Sequence, residues 1–186
     1  MPAQPDAPVP ADGGPPKAPF IARLIATGAG CGYAPWASGT VGSAVALLVF
    51  LLPGISLAPA FPALIIAVFF AGRWAAGRVA LADGHLLQPT AAAVKKFFQK
   101  GNPTHPDPSI VVIDEFVGMW IALLFIPVGL PEVLVAFTTF RIFDIVKPPP
   151  AAALETVGRG WGIMLDDVAA GVYANLATRI TLWMIG

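Results

Sequence analysis

Six carboxylates in this 186-residue chain occupy positions from which they could do chemistry. Asp107, Asp114 and Glu115 fall within nine residues, immediately before residues 116–131, a run of sixteen with no charge; Asp144 lies in Arg141-Ile-Phe-Asp144-Ile-Val-Lys147; Asp166 and Asp167 are adjacent. An ionised carboxylate is too costly to place in lipid without a partner, so acids at the edge of an apolar run belong at a water boundary facing a cation. The leading cation is Mg²⁺, a hard ion that takes carboxylate and phosphate oxygens. Each acid also has an ordinary reading. Asp114 and Glu115 suit a helix entry, where the dipole is worth about 0.3 to 1 kcal/mol for each, and Asp166-Asp167 suits the start of a last helix. Three acids so close together weigh toward ligation. Adjacent like charges at a helix start repel unless separated or neutralised, which weighs the same way for the pair.

Arg141, Asp144 and Lys147 are spaced three apart and so neighbour one another on one helix. Two readings stay open: a charge ladder that makes a membrane helix end tolerable, or Asp144 serving the metal or the water while Arg141 and Lys147 bind a phosphate. The stretch from Gly28 to Ser43 is dense in glycine and precedes a helix, so its backbone N–H groups can hold an anion, with Thr40 and Ser43 adding hydroxyl donors. No lysine follows the glycines, which excludes a nucleotide P-loop. Glycines there, and at Gly118 and Gly171, also permit close helix packing. The single cysteine, Cys31, excludes an internal disulfide. His85 and His105 lack zinc-protease spacing and read as loop residues, His105 being the better ligand candidate because it is two residues from Asp107.

The elements that must position these groups are membrane-like. Hydrophobic residues make up 56% of the chain, charged residues only 12%, and mean hydropathy is +0.75. Eleven basic residues balance eleven acidic ones, so no basic field exists for nucleic acid. Residues 1–19 carry seven prolines and read as a disordered cytoplasmic tail; residues 20–186 read as one helical membrane domain. The pattern predicts an interfacial helix over 20–29 and membrane segments over 40–52, 58–81, 116–130, 132–143 and 166–184, with a turn at Pro53-Gly54. The fold expected is thus a compact all-α integral membrane bundle of about four to five membrane segments with an additional interfacial helix. Positive charge favours the cytoplasmic side, and Arg73 and Arg78 with the lysines of the 83–109 loop orient the chain. Thr40, Ser43, the 107–115 acids, Arg141 to Lys147 and Arg159 to Asp167 then all fall at cytoplasmic segment ends. Arg179, near the outer end of the last helix, departs from that bias. Trp36, Trp120, Trp161 and Trp183 are expected as interfacial anchors.

Gly39-Thr40-Val-Gly42-Ser43, the acids from Asp107 through Ile-Asp114-Glu115-Phe-Val-Gly118-Met-Trp120, Phe140-Arg141-Ile-Phe-Asp144 with Lys147-Pro148, and Gly160-Trp-Gly-Ile-Met-Leu-Asp166-Asp167-Val-Ala-Ala-Gly171 together resemble the phosphatidylglycerophosphatase A family. The likeness spans about residues 20–185. It implies a Mg²⁺-dependent phosphatase of the bacterial inner membrane that converts phosphatidylglycerophosphate to phosphatidylglycerol. Where that family commonly has Pro-Gly-Thr, this chain has Ser38-Gly39-Thr40, and its 83–105 loop is longer and more basic. The residues fit: Asp107, Asp114, Glu115, Asp166 and Asp167 to hold metal, Asp144 as further ligand or base, and Arg141, Lys147, Thr40 and Ser43 to bind phosphate. The rival expectations are a small transporter or channel, whose acids would be spread through the bilayer depth, and a non-catalytic membrane scaffold.

Overall fold

The computed structural model describes residues 17–55, 59–82, 110–154, 158 and 160–185. Asp107, Arg159, both histidines, most of the proline-rich tail and the basic loop lie outside the described residues. Among those described there are seven α-helices, a short 3-10 turn (Cys31–Tyr33) and no strand: α1 (Phe20–Ala26), α2 (Ser38–Phe50), α3 (Phe61–Ala82), α4 (Ile113–Ala122), α5 (Leu130–Val146), α6 (Ala151–Leu154) and α7 (Trp161–Ile185).

The breaks follow local chemistry. Between α2 and α3 the chain turns through Pro53 and Gly54, the latter at φ +85, where a side chain would be strained. Pro131 sits in the first turn of α5, where its missing N–H would have had no partner within the helix. Lys147 ends α5 in the left-handed region at φ +47, directly before Pro148.

Two boundaries differ from expectation, each for a physical reason. The uncharged run after Glu115 is not one segment to residue 130. Helix α4 is ten residues long, about 15 Å, and Ile113, Phe116, Val117, Gly118, Met119, Trp120 and Ala122 are all buried. A helix apolar on every side is a core helix, and α4 packs against α2, α3, α5 and α7. Where it stops, α7 supplies donors to its last carbonyls and to the turn that follows. The Asn175 Nδ2 amide donates to the carbonyls of Ile121, Ala122 and Leu124 at 3.1, 3.0 and 2.9 Å. Arg179, anomalous by charge bias, donates to Leu124 and Phe125 in the same place. The second difference is that α7 opens at Trp161, so Asp166 and Asp167 lie in its second turn rather than capping its start.

Trp120 is likewise no interfacial anchor. It is 5% exposed and donates Nε1–H to the Ala46 carbonyl at 2.8 Å, tying α4 to α2. Trp36 and Trp183 are exposed, whereas Trp161 stacks beneath the guanidinium of Arg73, 4.2 Å from its ring centre. At the α4–α7 crossing the backbones nearly touch: a Cβ on Gly171 would lie 2.5 Å from the Gly118 carbonyl oxygen, and one on Gly118 would lie 2.8 Å from that of Asp167. Only glycine fits there.

Two helices, Phe61–Ala82 and Trp161–Ile185, are long and apolar enough to cross a bilayer. Only 39% and 22% of their most apolar windows are buried inside the protein, so their apolar surface faces outward, unlike that of a soluble core helix. Leu64, Ile66, Phe70, Val172, Leu176 and Ile180 supply that surface. Helices α2, α4 and α5 are shorter than a complete span.

Candidate active site

Four helices bring their polar residues to one end of the bundle. Helix α4 contributes Asp114 and Glu115 from its first turn, α5 contributes Arg141 and Asp144 with Lys147 at its cap, α7 contributes Asp166 and Asp167, and α2 arrives by its N-terminus. The Gly118–Gly171 crossing sets α4 and α7 close enough that carboxylate oxygens of Asp114, Glu115 and Asp167 lie within 4.8 Å of one another.

The acids divide by partner. Arg141 Nη1 donates to Asp144 Oδ2 at 2.6 Å and Lys147 Nζ to Asp166 Oδ2 at 2.5 Å. Asp166 Oδ1 also accepts the Asp167 backbone N–H at 3.0 Å. By contrast, Asp114 Oδ1, Glu115 Oε2 and Asp167 Oδ2 are buried without a hydrogen-bond partner. Burial and then the neighbouring Glu115 and Asp167 charges push the Asp114 carboxyl well above its ordinary 3.8. Burial also raises Glu115, with the Asp144 charge adding to it and the hydrogen bond from Asp114 opposing it. Both residues lie outside the two helices long enough to span. Carboxylates held this close cannot all ionise without a counter-charge. Unsatisfied oxygens from three residues, all hard donors, fit a divalent cation such as Mg²⁺.

The N-terminus of α2 completes the site. Its cap, Ala37, is in the left-handed region at φ +48 and no side chain caps the first-turn N–H groups. A Cβ at Gly39 would fall 2.5 Å from Glu115 Oε1 and 3.3 Å from Arg141 Nη1, so the missing side chain is what admits this backbone to the acids. Ser43 is fully buried; its hydroxyl donates to the Gly39 carbonyl at 2.8 Å and accepts from Arg141 Nη1 at 3.3 Å. Thr40 lies beside Gly39 in the same turn but is exposed.

Of the residues singled out from the sequence, Asp114, Glu115, Asp144, Asp166, Asp167, Arg141, Lys147 and Ser43 share this one end of the bundle. Asp107 lies outside the described residues. Sequence reasoning missed Asn175 and the specific closeness of Gly39. The available signal for Asn175 was a polar residue four positions before Arg179 in an otherwise apolar stretch.

Comparison with known proteins converges on one group. The family described as Phosphatidylglycerophosphatase A matches residues 88–182. A Bacteroides thetaiotaomicron protein bearing the provisional name phosphatidylinositol-3-phosphatase is 38% identical over 175 residues, 90% of this chain and 97% of its own length. Proteins named Phosphatidylglycerophosphatase A are 44% identical over shorter stretches: 82 residues in Haemophilus influenzae, 42% of this chain and 50% of that protein, and 68 residues in Escherichia coli, 36% and 40%. No solved structure matches significantly. With a family match over half the chain and a relative aligned along nearly all of it, this protein belongs to the phosphatidylglycerophosphatase A family of phosphatases.

Proposed function

We propose that this protein hydrolyses the terminal phosphomonoester of phosphatidylglycerophosphate, yielding phosphatidylglycerol and inorganic phosphate. It would act at the cytoplasmic face of a bacterial inner membrane that its helices cross more than once. The observation that carries this reading is the trio Asp114, Glu115 and Asp167, whose partnerless buried oxygens stand beside two cations. Among the described residues every acid except Glu132, in the first turn of α5, gathers at one end of the bundle, which favours a reaction site over an ion path.

In this mechanism Asp114, Glu115 and Asp167 would hold Mg²⁺, and Asp166 and Asp107 would serve as further oxygen ligands. Mg²⁺, when bound, offsets phosphate charge and supplies Lewis acidity to the phosphate oxygens and the attacking water. Arg141 and Lys147 pair with the phosphate oxygens, a task for which Arg141 offers a planar fork and Lys147 a point charge. The α2 N-terminus, Thr40 and Ser43 add hydrogen-bond donors to the same phosphate. Asp144 accepts the proton of the water that adds to phosphorus. The bond from phosphorus to the lipid oxygen breaks as that water adds, and the lipid oxygen takes up the proton that Asp144 accepted, so the lipid leaves as an alcohol and the carboxylate is restored.

One observation favours a second substrate: the relative aligned along 97% of its length carries a phosphatidylinositol-3-phosphatase name. Both lipids present a phosphomonoester beyond a phosphodiester, so the same groups serve either. The test is phosphate release by purified protein in mixed micelles of each lipid, with Mg²⁺ and with excess EDTA. Faster release from phosphatidylglycerophosphate, abolished by EDTA, is expected. Preference for the inositol lipid would reassign the substrate, and release indifferent to EDTA would overturn the metal mechanism.

A further inference from the structure

Helices α4 and α7 carry matched marks. On α4, Asp114, Gly118 and Ala122 are each four residues apart; on α7, Asp167, Gly171 and Asn175 have the same spacing. Residues four apart share a helix face. Each pair of marks meets in space. Asp114 and Asp167 join in the carboxylate cluster, Gly118 and Gly171 form the backbone crossing, and the Asn175 amide donates to the Ala122 carbonyl at 3.0 Å. The helices therefore run in the same direction and in register, with the acids at one end and the amide at the other, about 12 Å away.

The far contact is built for precision. Asn175 Nδ2 donates to the carbonyls of Ile121, Ala122 and Leu124 where α4 ends, and its Oδ1 accepts Arg179 Nε–H at 2.8 Å, which fixes the amide's orientation. Arg179 Nη2 then holds Leu124 and Phe125, the latter at φ +59. These contacts tie the end of α4 to α7 at the amide. With a glycine crossing at the centre, sliding α4 along α7 would break the amide contacts at one end and part the acids at the other.

We propose that Asn175, oriented by Arg179, is a positioning residue. It sets the register of α4 against α7 and thereby the spacing of Asp114 and Glu115 from Asp167. The inference rests on the reading of those acids as a cation site. Asn175 bonds to the α4 carbonyls rather than to the acids, so it acts on them through the packing of the two helices, and its loss should weaken metal affinity less than loss of a partner bonded directly to a ligand.

The experiment titrates Mg²⁺ into purified, lipid-free protein in detergent and follows the rise in melting temperature. Activity on phosphatidylglycerophosphate is measured in parallel. In Asn175→Leu the half-saturating Mg²⁺ concentration should rise several-fold, approaching the roughly tenfold of a partner bonded directly to a ligand, kcat should fall, and the KM for lipid should hold. Arg179→Gln, which leaves the amide but frees its orientation, should show a smaller rise in the same direction and carries the test if Asn175→Leu does not fold. Arg179→Lys should restore part of the loss. Variants that melt lower without ion yet keep the wild-type half-saturating Mg²⁺ concentration would reduce the clamp to a structural role and overturn the proposal. A wild type not stabilised by Mg²⁺ would instead overturn the cation site itself.

Discussion

The acidic end of the bundle has two halves that solve the same electrostatic problem differently. In one, Asp144 and Asp166 each have a cation from the chain, Arg141 at 2.6 Å and Lys147 at 2.5 Å. In the other, Asp114, Glu115 and Asp167 crowd within 4.8 Å and each keeps a buried oxygen without a partner. A fold that needed these acids only for stability would have paired or removed them, because an unmatched buried carboxylate is a standing cost. In the proposed function the paired half trades partners with a phosphate and the unpaired half takes a cation from solution.

The largest effect expected from breaking this contrast is in the unpaired half. Asp114→Asn or Asp167→Asn should lower Mg²⁺-dependent phosphate release by at least about a hundredfold, since outer supports of metal ligands alone can cost that much. The protein should still enter the membrane, as fractionation would show. In the paired half, Arg141→Ala and Lys147→Ala should each cost about ten- to a hundredfold in kcat/KM, matching the loss of hydrogen bonds between charged groups worth about 1.5 to 3 kcal/mol. A steady-state comparison checks this, and an effect equal to that of Asp167→Asn would erase the distinction.

The halves should also differ in their response to pH. Asp114 and Glu115 have carboxyl groups raised by burial, so without metal the folded protein binds more protons than the unfolded chain. Stability from these groups is present below the ordinary carboxylate range near 4 and is lost as pH rises through the raised values. Melting of EDTA-treated protein should therefore fall as pH climbs above about 4, and Mg²⁺ should flatten that slope. The smallest effect is expected at the rim. Ser43→Ala removes a neutral hydroxyl 3.3 Å from Arg141 and should cost a few-fold in kcat/KM, in keeping with about 0.5 to 1.5 kcal/mol for one such bond.

Much of this contrast was legible in residue types and spacing, and part was not. The spacing of Arg141, Asp144 and Lys147 marked a charged helix end, but which acid each cation would take depended on the approach of α7. Lys147 turned out to reach across to Asp166, nineteen residues away. Two acids before an apolar stretch usually mark a helix start, which is where the sequence places Asp166 and Asp167 even with ligation favoured over capping. Helix α7 instead begins at Trp161, with its first turn packed on α3, where a Cβ at Gly160 would lie 2.5 Å from the Arg73 carbonyl oxygen. The run from Phe116 read as lipid-facing because burial inside protein and burial in lipid leave the same apolar signature. Its early end was written in Asn175 and Arg179, more than fifty residues further on. Local chemistry thus singled out the charged groups that gather at one end of the bundle, while long-range contacts decided which were neutralised and which were left open.

Equilibrium binding of Mn²⁺, followed by paramagnetic resonance in detergent without lipid, tests the central division most directly. The account predicts that wild-type protein binds the ion, that Asp114→Asn, Glu115→Gln and Asp167→Asn each abolish binding, and that Asp144→Asn and Asp166→Asn weaken it less. Absence of binding to the wild type, or a greater loss in the paired acids than in the unpaired three, would contradict it.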